Sequence, residues 1–161
     1  MAKSLKEALD NVEMSYSQVA EVANSILEDI LKPVDNLISV IGTDINSLSL
    51  DQLKDYLWKL QHKAYTLSEV KEKSILKAEL AEMLQKEKSA KIYIEAEGTT
   101  NAKSSTALLE SSQEIVVQAL YENISNQLKT KVDQLHRMVD ALKSIIMTRM
   151  QEAKLSMTNL E

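Results

Sequence analysis

The chain has 161 residues with a net charge of −5, 44% hydrophobic and 27% charged residues, and no cysteine. Its length allows one domain, or one domain with an arm, and its composition excludes global disorder. Without cysteine it cannot form disulfides, thiolate metal sites or cysteine nucleophiles. Its start, MAKSLKEALD, has no apolar signal-peptide core, so we predict a cytoplasmic location.

Residues that end helices are scarce, because the chain has only two glycines and one proline. We predict an all-α fold: a long antiparallel helical hairpin with a separate N-terminal helix, coiled-coil-like and oligomeric. The longest apolar stretch, residues 36–42, is too short to span a bilayer. No membrane partner is therefore predicted.

The first segment, residues 1–31, is predicted to be an acidic amphipathic helix that acts as an arm. Residues 1–53 carry three lysines against nine acidic residues. Apolar residues alternate steps of four and three, which is typical of a coiled-coil seam, although a helix on a globular core is the alternative. The seam predicts an oligomer interface formed by Leu5, Leu9, Val12, Tyr16, Val19, Ile26 and Ile30.

A break is predicted at Pro33, because proline lacks an amide donor and disfavours helical geometry at Lys32. A short apolar helix follows, which Gly42 is expected to end. The turn-rich stretch GTDINSLS comes next. We therefore predict a Pro/Gly hinge across residues 32–49.

The remaining residues, 50–161, form the predicted helical hairpin. Ser49 and Gln52 match a capping box at its start, and the stretch GTTNAKSS predicts a turn near residues 98–105. The first helix carries two apolar stripes in different registers, namely Leu50, Leu53, Leu57, Leu60, Ala64 and Leu67, then Leu76, Leu80, Met83, Ala90 and Ile94. The second helix carries Leu128, Val132, Leu135, Val139, Leu142, Ile146 and Ala153. Arg149 interrupts this last stripe, which predicts an end that frays or faces solvent.

Residue patterns typical of catalysis are few. His136 shares a helical face with Asp133 and Asp140, which we interpret as an exposed polar face in preference to a metal site. The two glycines stand too far apart for a phosphate-binding loop. We predict a protein that is not an enzyme, with no catalytic residue, metal or cofactor.

Lysines and aromatic rings occur together around Trp58 and again around Tyr93, and residues 54–91 carry nine lysines against six acidic residues. Single-stranded nucleic acid binds such mixtures, because rings stack on bases and lysines neutralise phosphates. Interleaved glutamates are instead typical of a solvated helix surface, which the residues alone favour, although a ring of copies would repeat the lysines into a continuous track. The candidate nucleic-acid-binding residues are Lys59, Lys63, Lys86, Lys88, Lys91, Tyr93 and Lys103, with Trp58 as a further stacking ring.

The segment YLWKLQHKAYTLSEVKEKSILKAELAEMLQKEKSAKIYIEAEGTTNAKSS resembles the UvsY-like family of phage recombination mediators. Those proteins are small, cysteine-poor and mostly helical, with a basic-aromatic stretch before a glycine-containing turn and a second long helix. The likeness covers about residues 50–150 and places that stretch on Lys88, Lys91 and Tyr93. This chain differs in its acidic arm and in its single glycine at the turn.

The resemblance implies a ring-forming accessory protein in DNA recombination or replication, which binds single-stranded DNA and helps to load a recombinase. Two alternatives stay open. One is a coiled-coil structural or assembly protein of a virion, and the other is an acidic helical adaptor or inhibitor of a host protein. The predicted partners are therefore further copies of the chain, single-stranded DNA, and a recombinase or other protein.

Overall fold

The computed structural model describes the backbone of residues 5–158 and the side chains of residues 17–43 and 45–156. Over that range the chain is helical, without strands, which confirms the predicted all-α class. The helices are α1 (Leu5–Asp44), α2 (Leu50–Glu95), α3 (Thr100–Glu110) and α4 (Ser112–Thr158). The chain divides into two compact units: unit 1 takes α1 as far as Glu28 with Lys71–Gln127, and unit 2 takes Asp29–Val70 with the chain from Leu128 onward.

Helix α1 runs through Pro33 without a break, which differs from the predicted end of the helix near residue 31. Proline removes the donor that the Asp29 carbonyl would receive, but Pro33 and Asp29 are both exposed, so water can satisfy that carbonyl. Within unit 2, Val34 and Ile41 are buried beyond the proline, and their packing favours helical geometry there. That residues 1–31 act as a separate arm stays a prediction.

The link between α1 and α2 is shorter than the predicted hinge of residues 32–49. Gly42 lies inside α1 and has no positive φ, so it does not act as the left-handed cap that would end the helix. The capping box is confirmed: the Ser49 amide donates to Gln52 Oε1 over 2.8 Å, and the Gln52 amide donates to Ser49 Oγ over 3.3 Å.

The turn after α2 is also narrower than the predicted 98–105. Gly98 adopts a φ of 112°, a left-handed conformation that glycine tolerates, and Thr99 Oγ1 then caps α3 by accepting from the Ala102 amide over 3.4 Å. Ser105 and Thr106 donate to carbonyls four residues earlier. Their hydroxyls are thus satisfied inside a helix, so this stretch rich in turn-forming residues is compatible with helical geometry.

The two units have cores of different character. Unit 2 buries large aliphatic side chains: Val34, Ile41, Leu53, Leu60, Leu67, Leu128, Val132, Leu135, Val139, Leu142 and Ile146, together with Ala64. Unit 1 buries Val19, Leu27 and Ile124, but otherwise small residues: Ala23, Ser74, Ala78, Ala81, Ala107 and Ser111. The stripe predicted on α4 lies in a core from Leu128 to Ile146, but Ala153 at its end is exposed. Much of the first stripe on α2 also lies in a core, whereas the second stripe on α2 does not.

Arg149, predicted to fray or to face solvent, holds the link between α1 and α2 within unit 2. Its guanidinium donates to the carbonyl of Leu48, to that of Ile45 over 3.1 Å and to that of Asn46 over 3.2 Å. A planar guanidinium has several donors in a fixed fork, so one side chain satisfies three carbonyls that follow the end of a helix. The polar residue in an apolar stripe is therefore a structural anchor.

Candidate interaction surfaces

The candidate nucleic-acid residues fall into two groups: Lys59 and Lys63 belong to unit 2, and Lys86, Lys88, Lys91, Tyr93 and Lys103 belong to unit 1. Three of these lysines pair with a carboxylate one helical turn earlier on α2: Lys59 with Asp55, Lys86 with Glu82, and Lys91 with Glu87. The interleaved acidic residues thus neutralise neighbouring lysines on the same helix. This arrangement weakens the positive field that would attract a phosphate backbone.

Two of these exposed pairs shift a pKa in the direction that favours the charged form. A hydrogen bond from Lys91, together with its charge, lowers the pKa of Glu87, and the same contact raises the pKa of Lys91. On the other group, the hydrogen bond to Asp55 raises the pKa of Lys59. Hydrogen bonding to the charged form is the leading cause in each case.

Lys88 makes a different contact, because its partner lies on another helix. Its ammonium group donates to the two carboxylate oxygens of Glu114, over 3.0 and 3.2 Å, and this joins α2 to the first turn of α4 within unit 1. The hydrogen bond from Lys88 is the largest cause of the lowered pKa of Glu114. A hydrogen bond from the backbone amide of Glu114 lowers it further. Lys88 is therefore engaged in helix packing.

The Gly98 turn brings two predicted site residues together. Lys103 Nζ lies 6.0 Å from the centroid of the Tyr93 ring, at the edge of the range for a cation–π contact. Tyr93 is 39% exposed, so its ring has a face available to solvent. Among the described contacts, Lys103 has no carboxylate partner. Within unit 1, the Tyr93–Lys103 pair therefore combines an exposed ring with a lysine that has no carboxylate partner among the described contacts.

In unit 2, the rings near Lys59 and Lys63 form an exposed strip on α2. Trp58 stacks on His62 with ring centroids 5.6 Å apart and an interplanar angle of 6°. Trp58 and Tyr65 are 63% and 71% exposed. Exposed apolar side chains that lie together mark candidate interaction sites, so this strip is a second candidate contact surface.

The second stripe predicted on α2 points to solvent within unit 1. Leu76, Leu80, Met83 and Ile94 are 64, 55, 68 and 78% exposed, and Ala90 is exposed with them. We call these five residues the outer face of α2. On the other side of the same helix, Ser74, Ala78 and Ala81 are buried. The prediction that these residues form an apolar stripe is correct. The chain nevertheless buries the opposite side of α2, which carries the small residues.

The predicted oligomer seam on α1 has a mixed outcome. The side chains of Leu5, Leu9, Val12 and Tyr16 lie outside the described residues. Val19 is 7% exposed and packs inside its own chain, so it is not available to another copy as predicted. Ile26 is exposed and Ile30 is half-buried, because the buried stripe runs through Ala23 and Leu27 instead.

Sequence reasoning missed a chain of polar contacts at the junction of α3 and α4 in unit 1. Gln85 Nε2 donates to Ser89 Oγ over 3.1 Å, Ser89 donates to Ser111 Oγ over 2.9 Å, and Ser111 donates to the Ala107 carbonyl over 2.7 Å. Ser111 is fully buried. The small residues at helical spacing on α2 were the signal for this contact, because small side chains let helices approach closely.

Neither the hollow on α4 nor a group of metal ligands adds a further candidate. A shallow hollow of about 510 Å³ in unit 2 is lined by residues of α4 alone, namely Thr130, Asp133, Gln134, Arg137, Met138 and Ala141. Groups from one helix face do not converge on a ligand as pocket residues do. In the part of the chain that the structure describes, no three His, Asp or Glu side chains are grouped to hold a metal ion, the trio around His136 included.

No known protein family, no curated protein sequence and no solved structure matches this chain. The resemblance to the UvsY-like family thus stays a prediction from the layout of the sequence. Across the described residues, none of the helices combines the length and apolar character that crossing a membrane requires.

Proposed function

We propose that this chain is a non-catalytic helical assembly protein, which forms homo-oligomers through the outer face of α2. The observation that carries the proposal is the inversion of side-chain size on that helix. Its buried side presents Ser74, Ala78 and Ala81, whereas its exposed side presents Leu80, Met83 and their neighbours. A helix with two apolar sides is typical of one that packs on its own chain and on a partner.

The spacing of the outer face supports a helix as the partner. Leu76, Leu80, Met83, Glu87, Ala90 and Ile94 are separated by alternating steps of four and three residues. This is the spacing of a coiled-coil seam, in which each side chain enters a hole on the facing helix. A flat sheet or a small molecule has no such period, so the pattern favours helix-on-helix association.

We also propose that α2 and α4 form an antiparallel hairpin closed at Gly98, with coiled-coil packing. Contacts within unit 1 support this: Lys77 donates to Tyr121 Oη over 3.4 Å, Lys88 to Glu114, and Ser89 to Ser111. Residue numbers rise along α2 as those of their partners fall along α4, which is the order of an antiparallel pair. The same hairpin leaves the outer face of α2 uncovered by α4.

The association is tested by sedimentation velocity of the full chain between roughly 1 and 100 µM, a range suited to interfaces of moderate size. We expect the wild type to sediment as a species larger than a monomer, and Leu80→Lys to shift it to a monomer. Leu155→Lys is the matched control, because Leu155 is a 65% exposed leucine on α4. A wild type that stays monomeric throughout, or a Leu80→Lys variant that assembles normally, contradicts the proposal.

A second candidate function is binding of single-stranded nucleic acid at the Tyr93–Lys103 pair. The observation that favours it is the ammonium group of Lys103 beside the exposed ring of Tyr93. Together they offer a stacking surface and a phosphate contact, the combination that single strands use. The role in loading a recombinase follows only from the family resemblance and stays a prediction, as does the alternative of an adaptor for a host protein.

This candidate is tested by fluorescence anisotropy of a labelled oligonucleotide at low salt. We expect Lys103→Glu and Tyr93→Ala each to weaken binding several-fold, and added salt to weaken the wild type. Lys129→Glu is the control, because Lys129 is an exposed lysine on α4 in unit 2. No binding by the wild type, or an equal loss with Lys129→Glu, eliminates this site, whereas the assembly proposal is unaffected.

A further inference from the structure

The outer face of α2 carries charged residues on its flanks that indicate how a partner lies on it. In heptad notation, Leu80 at position a places Leu76 and Met83 at d. Leu84, which is 49% exposed, falls at e and widens the apolar strip. Glu79 and Lys86 both fall at position g, on the same flank and one heptad apart.

We infer that the partner is a second copy of α2, packed antiparallel about a two-fold axis between Ala81 and Glu82. This inference rests on the proposed function and specifies its partner. In that register Leu80 of each copy faces the Met83 position of the other, in the a-to-d layers of an antiparallel pair. A two-fold contact is self-complementary, so every favourable pairing occurs twice.

Charge complementarity selects this arrangement. In the antiparallel register, Glu79 of one copy faces Lys86 of the other, and symmetry gives the reciprocal pair. In a parallel pair, Lys86 instead faces Lys91 and Glu87 faces its own copy at position a, both like-charge contacts. Flanking e and g charges set orientation in coiled coils, so the parallel alternative is disfavoured.

The side chains are free to make these pairs. Glu79 is exposed, and the Lys86 side chain is 68% exposed although it contacts Glu82 on its own helix. An exposed pair of this kind is weak and reorganises readily. In this register Glu87 faces Leu76 of the other copy in the outermost a-to-d layer, and its own pair with Lys91 at 2.6 Å balances its charge.

A two-fold pairing has a consequence for assembly. Because each copy uses the same patch, the contact closes on itself and yields a dimer, whereas a head-to-tail contact would build a ring or a filament. The ring implied by the family resemblance would therefore need a different surface from this one.

The register is tested by charge reversal, followed by sedimentation velocity at low salt. Glu79→Lys and Lys86→Glu are each expected to weaken dimerisation roughly tenfold, because each turns two attractive pairs into two repulsive ones. The double variant in one chain restores opposite charges across the interface. An equimolar mixture of the two single variants does so as well. We therefore expect the double variant and the mixture to dimerise like the wild type.

Glu82→Lys is the control, because it removes the in-chain partner of Lys86 without changing a g position, and we expect it to dimerise like the wild type. If Leu80→Lys dissociates the dimer but neither charge reversal weakens it, the register is wrong and the proposed function still holds. Single variants whose mixture fails to pair also overturn it. A monomeric wild type refutes both proposals.

Discussion

Arg149 shows how a residue that interrupts an apolar stripe contributes to stability. Its guanidinium contacts the carbonyls of Ile45, Asn46 and Leu48, next to the end of α1. A positive charge is favourable beside the C-terminal end of a helix dipole. The residue therefore ties α4 to the link between α1 and α2 within unit 2.

Replacing Arg149 by methionine keeps most of the apolar stem and removes the donors. We expect the free energy of unfolding to fall by roughly 2 kcal/mol, because hydrogen bonds to charged groups contribute more than neutral ones. Urea denaturation followed by circular dichroism measures the change. Arg137→Met, at an exposed arginine on the same helix, is expected to have little effect. Equal losses in the two variants would mean that the carbonyl contacts are not responsible.

The Lys88–Glu114 pair makes stability depend on pH. The pKa of Glu114 lies below its ordinary value of 4.5 in the folded chain, so the pair contributes stability that is complete above that value. The contribution is lost as the pH falls through the lowered pKa. Glu114→Gln is expected to melt at a lower temperature than the wild type at neutral pH, and the difference should disappear in strong acid.

Thermal melts at a series of pH values measure this difference. Glu110→Gln serves as the control, since Glu110 is exposed at the end of α3 and has no ion pair among the described contacts. We expect its melting temperature to follow that of the wild type. A Glu114→Gln difference that persists unchanged into acid would show that the lysine pair is not its source.

At the scale of the element, α1 is the helix in which local preference and packing conflict. Proline costs about 3 kcal/mol relative to alanine inside a helix, yet α1 continues through Pro33. Within unit 2, Ile30 is half-buried before the proline and Val34 is buried after it, so a break at Pro33 would cost part of that burial. Packing therefore overrides the local preference.

Pro33→Ala tests that explanation. Alanine restores a donor to the Asp29 carbonyl and removes the clash, although a freer unfolded chain offsets part of the gain. We expect the free energy of unfolding to rise by about 2 kcal/mol in urea denaturation. Ser39→Ala, another exposed position on α1, controls for the general benefit of alanine in a helix. No gain beyond that control would indicate that the helix is broken at Pro33 in solution.

At the scale of the whole molecule, the proposed association couples stability to concentration. A partner that binds only the folded chain stabilises it by mass action. The melting temperature of the wild type is therefore expected to rise between roughly 1 and 100 µM, and that of Leu80→Lys to stay constant. Differential scanning calorimetry across this range of protein concentration measures the melting temperature. A constant melting temperature for the wild type would contradict stabilisation by self-association.

Part of the architecture could be predicted from the chain alone. The scarcity of glycine and proline determined that it is helical, and the Ser49–Gln52 box and Gly98 marked boundaries correctly, because capping and left-handed φ depend on neighbouring residues only. The stripe on α4 was correct from Leu128 to Ile146, whereas Ala153 at its end is exposed. The local sequence was sufficient for those features that neighbouring residues alone determine.

Other features needed the tertiary structure, because they depend on residues distant in sequence. Periodicity shows which apolar residues share a helix face, but not which of two competing faces the chain covers. On α2 the small side chains of Ser74, Ala78 and Ala81 are the ones buried, and the large ones are left outside. The partners of Lys88 and Arg149 likewise lie on other elements. Burial, and the surface it leaves free, is decided by the helices that pack together.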